Sequence, residues 1–325
     1  MEKVDLGDLK TLASGLRAEI FGQSEALDLV IKSVATAHLG IGDPDRPLHN
    51  FLFLGPTGVG KSEVGRTLAR LLHGDDCGLV ILDCNTFKNP HDVARLVGAP
   101  HGYIGFDTPP LITTEKLEHA FTVVVFEELE KADDAFFDVL LGLLEDGELT
   151  TGKGDVLDFT RSFIIMTSNL GSREAYKQKR RPIGFRSETD RANQIFRKEA
   201  EKFFSPEFVN RLDTIVVFEP LTSVELSLIL DKFLGQISFR LQGRGLHLTV
   251  DESVRQFLLL CGSNPYYGAR PMRRAIDRWL VAPVAEYVLE YLPKVQPEKP
   301  ASISVRMVSD HLKIEVTKRY SQAAR

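Results

Sequence analysis

The sequence has 325 residues, of which 43% are hydrophobic and 26% charged, and its formal net charge is -5 at pH 7. This composition is that of a globular protein, and the length suits one large domain with a smaller one. No stretch approaches the roughly 18 apolar residues that a membrane-spanning helix needs, and the acidic N-terminus does not resemble a signal peptide. The acidic balance argues against a general nucleic-acid-binding surface. We therefore expect a cytoplasmic protein that binds neither membranes nor nucleic acid.

The cysteines and histidines show no familiar metal-binding pattern. Cys77, Cys84 and Cys261 form neither a CxxC pair nor the spacing of a zinc site, and the eight histidines include no HExxH motif. We expect reduced, partly buried thiols rather than metal ligands.

Strand-like apolar segments alternate with helix-like segments through the first two thirds of the chain. Strands are predicted at residues 50–55, 78–84, 121–127, 161–169 and 213–219, and helices at roughly 23–40, 61–73, 91–97, 111–119 and 133–146. This alternation is typical of βαβ units, so it predicts an α/β fold with a five-stranded parallel sheet flanked by helices. Residues 171–195 are rich in Arg, Lys, Ser and Glu with little periodicity, which predicts a mobile loop.

The pattern changes near Glu219 and Pro220. Amphipathic helices are predicted beyond them at about 222–242, 251–262 and 270–291, with short alternating segments that begin at residues 246, 302 and 311. We therefore predict a large domain of residues 1–219 and a smaller C-terminal domain of residues 220–325, mainly helical with a small sheet.

A phosphate-binding loop is predicted directly after the first strand. The segment GPTGVGKS fits the pattern GxxxxGK[ST] and opens a predicted helix; its members are Gly55, Pro56, Thr57, Gly58, Val59, Gly60, Lys61 and Ser62. In such a loop backbone N–H groups converge on phosphate oxygens, the lysine reaches the β- and γ-phosphates, and the hydroxyl binds Mg²⁺. The alternative is a glycine-rich turn that only caps a helix.

Two glutamates, Glu127 and Glu128, end the third predicted strand. Ligands of parallel sheets lie beyond the carboxyl ends of the strands. Beside a nucleoside triphosphate, one acid there can hold the Mg²⁺ shell and the next can polarise a water molecule. We predict the first role for Glu127 and the second, that of the base, for Glu128. The alternative is that both carboxylates only favour the N-terminus of the following helix.

A series of motifs resembles the second ATPase module of the Clp family of AAA+ unfoldases, which includes ClpA, ClpB and ClpC. In chain order they are GPTGVGKSEV, GAPHGYIGFD, FEELEKA, LLEDGELTTGKG, FIIMTSNLGSRE, FSPEFVNRLD and YYGARPMRRAI, and the resemblance runs from residue 20 to about 290. It implies an AAA+ P-loop ATPase with a helical lid domain and with ATP and Mg²⁺ as cofactors. It also implies a homo-oligomer, a hexamer, that unfolds polypeptides by threading them through an axial pore.

The resemblance gives Asn169 and Arg211 roles in hydrolysis. Asn169 matches the sensor that orients the attacking water, and an amide suits this role because it both donates and accepts. Arg211 matches the arginine finger that reaches the nucleotide of the neighbouring subunit. The alternatives are a turn asparagine and, for Arg211, a surface ion pair with Glu207 or Asp213.

Nucleotide contacts outside the loop are implied as well. Phe21, Gly22 and Gln23 lie where the family encloses adenine, mostly by backbone and apolar contacts. Arg270 matches the second sensor, which links nucleotide state to the angle between the domains. The alternative for Arg270 is a salt bridge at the start of a helix.

Substrate and partner contacts follow from two further motifs. Tyr103 matches the aromatic pore loop that grips an extended polypeptide, and residues 147–155 match a second pore loop. Ile183, Gly184 and Phe185 stand where members that dock a ClpP-type peptidase carry a similar tripeptide. The alternatives are a tyrosine packed into its own loop and a basic segment that folds back onto its own surface.

The sequence departs from the family at Glu127, where the strand usually ends in Asp. The extra methylene moves the carboxylate by about 1.5 Å, so we expect slowed hydrolysis. The other hypothesis is a nucleotide-gated assembly platform with little or no hydrolysis. Pro109 and Pro110 replace a glycine pair and predict a stiffer loop. Without a first ATPase module, the chain is either a single-ring protein or one module of a longer one.

Overall fold

The computed structural model describes residues 6–98, 110–179, 188–264, 267–291, 300–308 and 311–319. The chain divides into two compact units. The first comprises Met1–Pro56 and Gly60–Glu219, and the second comprises Thr57–Val59 and Pro220–Arg325. Within the described ranges, no helix has the length and apolar character needed to cross a membrane.

The first unit contains a parallel sheet and a small hairpin. Its strands are β1 (His49–Leu54), β2 (Leu79–Asp83), β3 (Thr122–Glu127), β4 (Glu148–Thr150), β5 (Val156–Asp158), β6 (Ser162–Ser168) and β7 (Thr214–Val217). Five of them form a sheet in the order β2-β3-β6-β1-β7, with every pair parallel. The predicted five-stranded parallel sheet is confirmed. Strands β4 and β5 form a separate antiparallel pair.

Helices surround this sheet. They are α1 (Leu6–Glu19), α2 (Ser24–Leu39), α3 (Lys61–His73), α4 (Ala94–Val97), α5 (Thr114–Leu117), α6 (Asp134–Asp146), α7 (Ser172–Lys179), α8 (Glu188–Phe203) and α9 (Pro206–Asn210). The glycines at both ends of α3 and at the end of α6 adopt left-handed φ values, which ends or begins these helices without steric cost.

The central strands are apolar on both faces because helices cover both. Successive residues of a strand point to opposite faces. Val125 of β3 lies against α3, where it approaches Gly65, whereas the ring of Phe126 lies 5.8 Å from that of Phe136 on α6. Strand β6 is buried along its whole length. This double coverage explains the unbroken hydrophobic runs in the sequence.

The prediction of a loop at residues 171–195 is wrong in two places, since α7 and the first half of α8 lie within that range. Helix α8 is anchored by Phe196 and Ala200, which are buried in the core of the sheet, together with Phe204 just beyond the helix. These residues recur every four positions but begin after residue 195. The sequence of residues 171–195 alone therefore does not contain the apolar face that stabilises the helix.

The second unit combines helices with a three-stranded sheet. Its elements are α10 (Ser223–Gln242), β8 (Leu246–Val250), α11 (Glu252–Gly262), α12 (Arg270–Ile276), α13 (Ala282–Tyr291), β9 (Ala301–Val308) and β10 (His311–Arg319). A π-helical turn, Asp277–Val281, joins α12 to α13. The strands lie in the order β10-β9-β8, with β9 antiparallel to β10 and parallel to β8. The helices and sheet predicted for this region are confirmed.

Two helical glycines of the first unit provide a test of how tightly α3 packs on the sheet. A Cβ on Gly65 would lie 2.6 Å from Cγ2 of Val125, whereas a Cβ on Gly142 of α6 would meet nothing within 4 Å. Alanine favours a helix over glycine by about 1 kcal/mol, but overpacking costs about 1–3 kcal/mol. We expect Gly142→Ala to raise the free energy of unfolding by about 0.5–1 kcal/mol and Gly65→Ala to lower it. Denaturant unfolding measures both, and a stabilising Gly65→Ala would contradict the close packing.

Candidate active site

The sheet order places three functional segments side by side. Strand β1 leads into the phosphate loop, β3 ends at Glu127, and β6 leads to Asn169. Because β6 lies between β1 and β3 and all three are parallel, their carboxyl ends lie at the same edge of the sheet. This edge is where ligands bind in open parallel sheets.

The glycines of the phosphate loop adopt backbone conformations that other residues rarely take. Gly55, Gly58 and Gly60 have φ values of 144°, 76° and 109°. A Cβ on Gly55 would lie 2.6 Å from the carbonyl oxygen of Phe218, so a larger residue does not fit there. Gly60 has no side chain with which to cap α3, and the first N–H groups of a helix have no intrahelical partner. The loop therefore forms a cradle for an anion at a helix N-terminus.

The ammonium group of Lys61 is buried at this cradle, with only 7% of the residue exposed. Nζ donates to the carbonyl oxygens of Gly55 and Pro56, at 2.6 Å each, and to Oδ1 of Asn169 at 3.0 Å. These acceptors match the three protons of an ammonium group. An unpaired charge in this position would be costly, so these bonds explain how the chain holds a cation beside the glycine loop.

Asn169 is fixed in turn by Glu130. Oε1 of Glu130 accepts from the backbone N–H of Asn169 at 3.2 Å and from its Nδ2 at 3.3 Å. The amide oxygen is thereby directed towards Lys61. The other carboxylate oxygen of Glu130 is buried without a hydrogen-bond partner. Glu130 was missed in the sequence analysis, although its place as the third acid of FEELEK offered a signal.

Glu127 ends β3 with its side chain partly buried. Its Oε1 lies 3.3 Å from Nη2 of Arg66, which is on α3 one turn beyond Ser62. The carboxylate therefore faces α3, the helix that also carries the Ser62 hydroxyl. It also has a cationic partner already. A metal ion bound here would compete with the guanidinium for this carboxylate.

Glu128 adopts a left-handed backbone conformation, with φ of 56°. Among the described residues only Phe121 shares this feature outside glycine. Such a conformation costs about 1–3 kcal/mol and is concentrated at functional sites. The backbone N–H of Glu128 donates to Oγ1 of Thr167 on β6 at 3.3 Å, which ties the strained residue to the neighbouring strand.

Arg211 follows α9 and lies between two carboxylates. Its Nη2 is 2.5 Å from Oε2 of Glu145 and 2.8 Å from Oε1 of Glu207. The ion pair with Glu207 was the alternative to a finger role; Asp213 instead lies near Arg46. Both partners of Arg211 are more than half exposed, so each pair contributes only about 0–1 kcal/mol.

The segment before α2, where adenine contacts were predicted, is tied to the end of the sheet. Gln23 is buried, and its amide donates to the carbonyl of Glu219 and accepts from the N–H of Glu219, both at 3.0 Å. Gly22 has a left-handed φ of 73°, and Phe21 is half-buried. The Gln23 side chain therefore fixes this segment beside Glu219.

The remaining predicted residues are placed as follows. Arg270 begins α12 in the second unit. Residues 147–155 contain β4 and the turn of the β4–β5 hairpin, whose facing residues Leu149 and Leu157 are buried. Tyr103 and the tripeptide of Ile183, Gly184 and Phe185 lie outside the described residues.

Comparisons with known proteins agree with this geometry. Residues 46–215 match the family described as AAA domain (Cdc48 subfamily), and residues 221–298 match the C-terminal, D2-small domain of ClpB protein. The chain is 37% identical over 296 residues to the chaperone protein ClpB of Aquifex aeolicus. It is 38% identical over 285 residues to the ATP-dependent Clp protease ATP-binding subunit ClpC of Staphylococcus epidermidis.

These matches cover 89% and 87% of this chain but 29% and 35% of the relatives, so the chain spans about a third of their length. A solved structure, a closed-state reconstruction of Hsp104 with ATPγS and FITC casein, is similar with a TM-score of 0.80 and 29% identity. That match covers 97% of this chain and 53% of the other. The chain belongs to the AAA domain family, in its Cdc48 subfamily, and joins that domain to a ClpB D2-small domain.

Proposed function

We propose that this chain is an ATP-driven protein unfoldase of the Clp type, which hydrolyses ATP at the subunit interfaces of a homohexameric ring. The observation that carries the proposal is the hydrogen bond of 3.0 Å between Lys61 and Asn169, which joins the ends of β1 and β6 beside the acids that end β3. Triphosphate hydrolysis is the reaction that uses a buried cation, a paired acid and a water-orienting amide together.

Lys61 binds the triphosphate by exchanging neutral carbonyl acceptors for phosphate oxygens. A hydrogen bond between charged partners is roughly twice as strong as a neutral one, so this exchange is favourable in a buried site. The conformation of this loop requires glycine at position 55, because a side chain there would clash with Phe218. Asn169, held by Glu130, presents its amide to the attacking water, and Glu128 accepts a proton from that water.

Ser62 and Glu127 are the residues that would hold Mg²⁺. One hydroxyl and one carboxylate are the hard oxygen ligands that this ion takes when phosphates complete its shell. When bound, the ion neutralises charge that develops on the phosphate oxygens. Oε1 of Glu127 already faces Arg66, so the carboxylate would have to share its charge between the ion and the guanidinium, and this competition adds to the effect of its longer side chain.

Arg211 acts on the nucleotide of the neighbouring subunit in this proposal. An arginine finger is worth about 10³–10⁵ in rate, which corresponds to about 4–7 kcal/mol. The exposed ion pairs with Glu145 and Glu207 contribute far less. They orient the guanidinium without holding it against a stronger partner. Arg270 keeps its proposed role as the second sensor.

Polypeptide is the proposed substrate. The Clp relatives and the Hsp104 reconstruction with FITC casein support it. Tyr103 and residues 147–155 would contact the chain in the pore, because an aromatic ring buries area against any side chain. We also propose that Ile183, Gly184 and Phe185 dock a ClpP-type peptidase. The proposed location is the cytoplasm.

A second candidate function is a nucleotide-gated assembly platform that binds ATP with little hydrolysis. The ion pair of Glu127 with Arg66 favours it, because the carboxylate that would share the metal ion is already neutralised. Both candidate functions require assembly into a ring. Measuring phosphate release distinguishes them, because only the unfoldase hydrolyses ATP at an appreciable rate.

A mixing experiment tests the proposed interface site. Arg211→Ala lacks the finger but keeps its own acid, whereas Glu128→Gln lacks the acid but keeps its finger. We expect each variant alone to lose phosphate release by about 10³-fold or more. An equimolar mixture should regain about a quarter of the wild-type rate, because each site of a head-to-tail ring borrows one residue from one neighbour.

The control for this experiment is Arg70→Ala, which removes an exposed arginine of α3 and should leave the rate unchanged. Sizing by light scattering with ATP should show hexamers for both inactive variants. If the mixture stays inactive while hexamers form, Arg211 does not act in trans. If the protein remains a monomer under all conditions, the proposed hexameric ring is wrong.

Glu127→Asp should accelerate phosphate release. The shorter side chain withdraws the carboxylate from Arg66 by about 1.5 Å and matches the family pattern. ATP affinity should change less than the turnover number, because Lys61 and the glycine cradle are untouched. Equal turnover numbers for Glu127→Asp and the native chain would show that the longer acid does not slow hydrolysis.

Glu130→Ala should lower the turnover number by about 10²-fold while ATP affinity changes only a few-fold, because the amide of Asn169 loses the group that orients it. Glu130→Gln keeps an oxygen that accepts both hydrogen bonds and should retain most of the activity. Steady-state kinetics measure the turnover number, and the dependence of the rate on ATP concentration reports the change in apparent ATP affinity. Equal losses for the alanine and glutamine variants would mean that the charge of Glu130, rather than its hydrogen bonds, is needed.

A further inference from the structure

A cluster of potential metal ligands lies at the edge of the sheet opposite the candidate active site. His73 ends α3, Cys77 lies in the loop before β2, and His119 lies in the segment before β3. The ligand atoms of these side chains all lie within 4.8 Å of one another. His73 is partly buried, and Cys77 and His119 are exposed. The cluster therefore sits where the amino ends of β2 and β3 meet, and an ion from solution can reach it.

The backbone holds these two segments together. Strands β2 and β3 are parallel neighbours, and the N–H of Val123 donates to the carbonyl oxygen of Gly78 at 2.8 Å. The rings of His73 and His119 have centroids 5.7 Å apart. A Cβ on Gly78 would lie 2.2 Å from Nε2 of His73, so glycine at this position leaves the space that the ring occupies.

The surroundings fit the outer shell of a metal site. Nε2 of His73 lies 3.3 Å from the carbonyl oxygen of Phe121, and a histidine that binds a metal usually donates its other ring nitrogen to such an acceptor. That bond places a proton on Nε2 and leaves Nδ1 as the unprotonated nitrogen. Phe121 has a left-handed φ of 64°, which is rare outside glycine. The Asp75 carboxylate accepts the N–H of Cys77 at 2.9 Å and so orders the loop that carries the thiol.

The donor set selects a class of metal. Two imidazoles and one thiol are ligands of zinc and related transition metals, whereas magnesium and calcium take oxygen. A tetrahedral zinc ion with bonds of 2.0–2.3 Å places its ligand atoms roughly 3.5 Å apart. The present separations are at most 4.8 Å, and rotation of the exposed Cys77 and His119 side chains can bring the ligand atoms to the shorter spacing.

We propose that His73, Cys77 and His119 bind one Zn²⁺ ion, with Cys77 bound as the thiolate after its proton passes to solvent and with the fourth position left to water. The ion would connect the loop of residues 74–78 to the segment of residues 118–121, and this role is independent of ATP hydrolysis. Spacing along the chain does not reveal the site, because the ligands are four and 42 positions apart in the order His73, Cys77 and His119. Only the parallel pairing of β2 and β3 brings them together.

Cobalt(II) provides the test, because a Co²⁺–thiolate bond gives a charge-transfer absorption band that ligation by nitrogen and oxygen alone does not. The full chain is stripped of metal with a chelator under reducing conditions and titrated with CoCl₂. We expect the band to saturate at about one ion per chain and to disappear when Zn²⁺ is added, since zinc binds nitrogen and sulfur ligands in this geometry.

Matched variants assign the ligands. Cys77→Ser should abolish the band, and His119→Ala should weaken Co²⁺ binding by at least about tenfold. Cys261→Ser removes another exposed cysteine and His91→Ala removes an exposed histidine outside the cluster; both should bind as the native chain does. Circular dichroism checks that all variants fold. A native chain without the band, or a band that survives Cys77→Ser, would overturn the proposal.

Discussion

The ammonium group of Lys61 is buried and donates to two carbonyl oxygens of its own loop and to the amide oxygen of Asn169. A buried cation without such partners would be too costly to keep. Its environment therefore constrains the surrounding structure: the loop must turn so that Gly55 and Pro56 face inward, and β6 must end at the level of β1. The left-handed glycines satisfy the first requirement and the parallel sheet satisfies the second.

The acids around this cation differ in their partners, which supports the separate roles proposed for them. Glu130 is fixed on Asn169 and keeps one buried oxygen unpaired, Glu127 faces Arg66, and Glu128 is held in a strained backbone conformation. Such strain is concentrated at functional sites, which supports the role proposed for Glu128. The ion pair with Arg66 gives the proposed metal ligand Glu127 a cationic partner, which would compete with a bound metal ion.

Much of the fold was predictable from local patterns. The buried strands appear as apolar runs, and the phosphate loop follows β1 with the expected glycines. Helices α7 and α8 were missed because Ala175 of α7 and Phe196 and Ala200 of α8 pack in a core formed by distant segments. Glu130 was missed for the same reason, since its partner Asn169 is 39 positions away. Contacts that depend on strand order cannot be read from spacing alone, and the cluster of His73, Cys77 and His119 is a further example.

The central claim is that Lys61 is held ready for a triphosphate. Calorimetric titration of the Glu128→Gln chain with ATP and Mg²⁺, beside the same chain with Lys61→Ala added, tests it most directly. The account predicts saturable binding in the first chain and an affinity at least about tenfold lower in the second, because a charge-assisted hydrogen bond contributes about 1.5–3 kcal/mol. Equal affinities, or no heat of binding in the first chain, would contradict it.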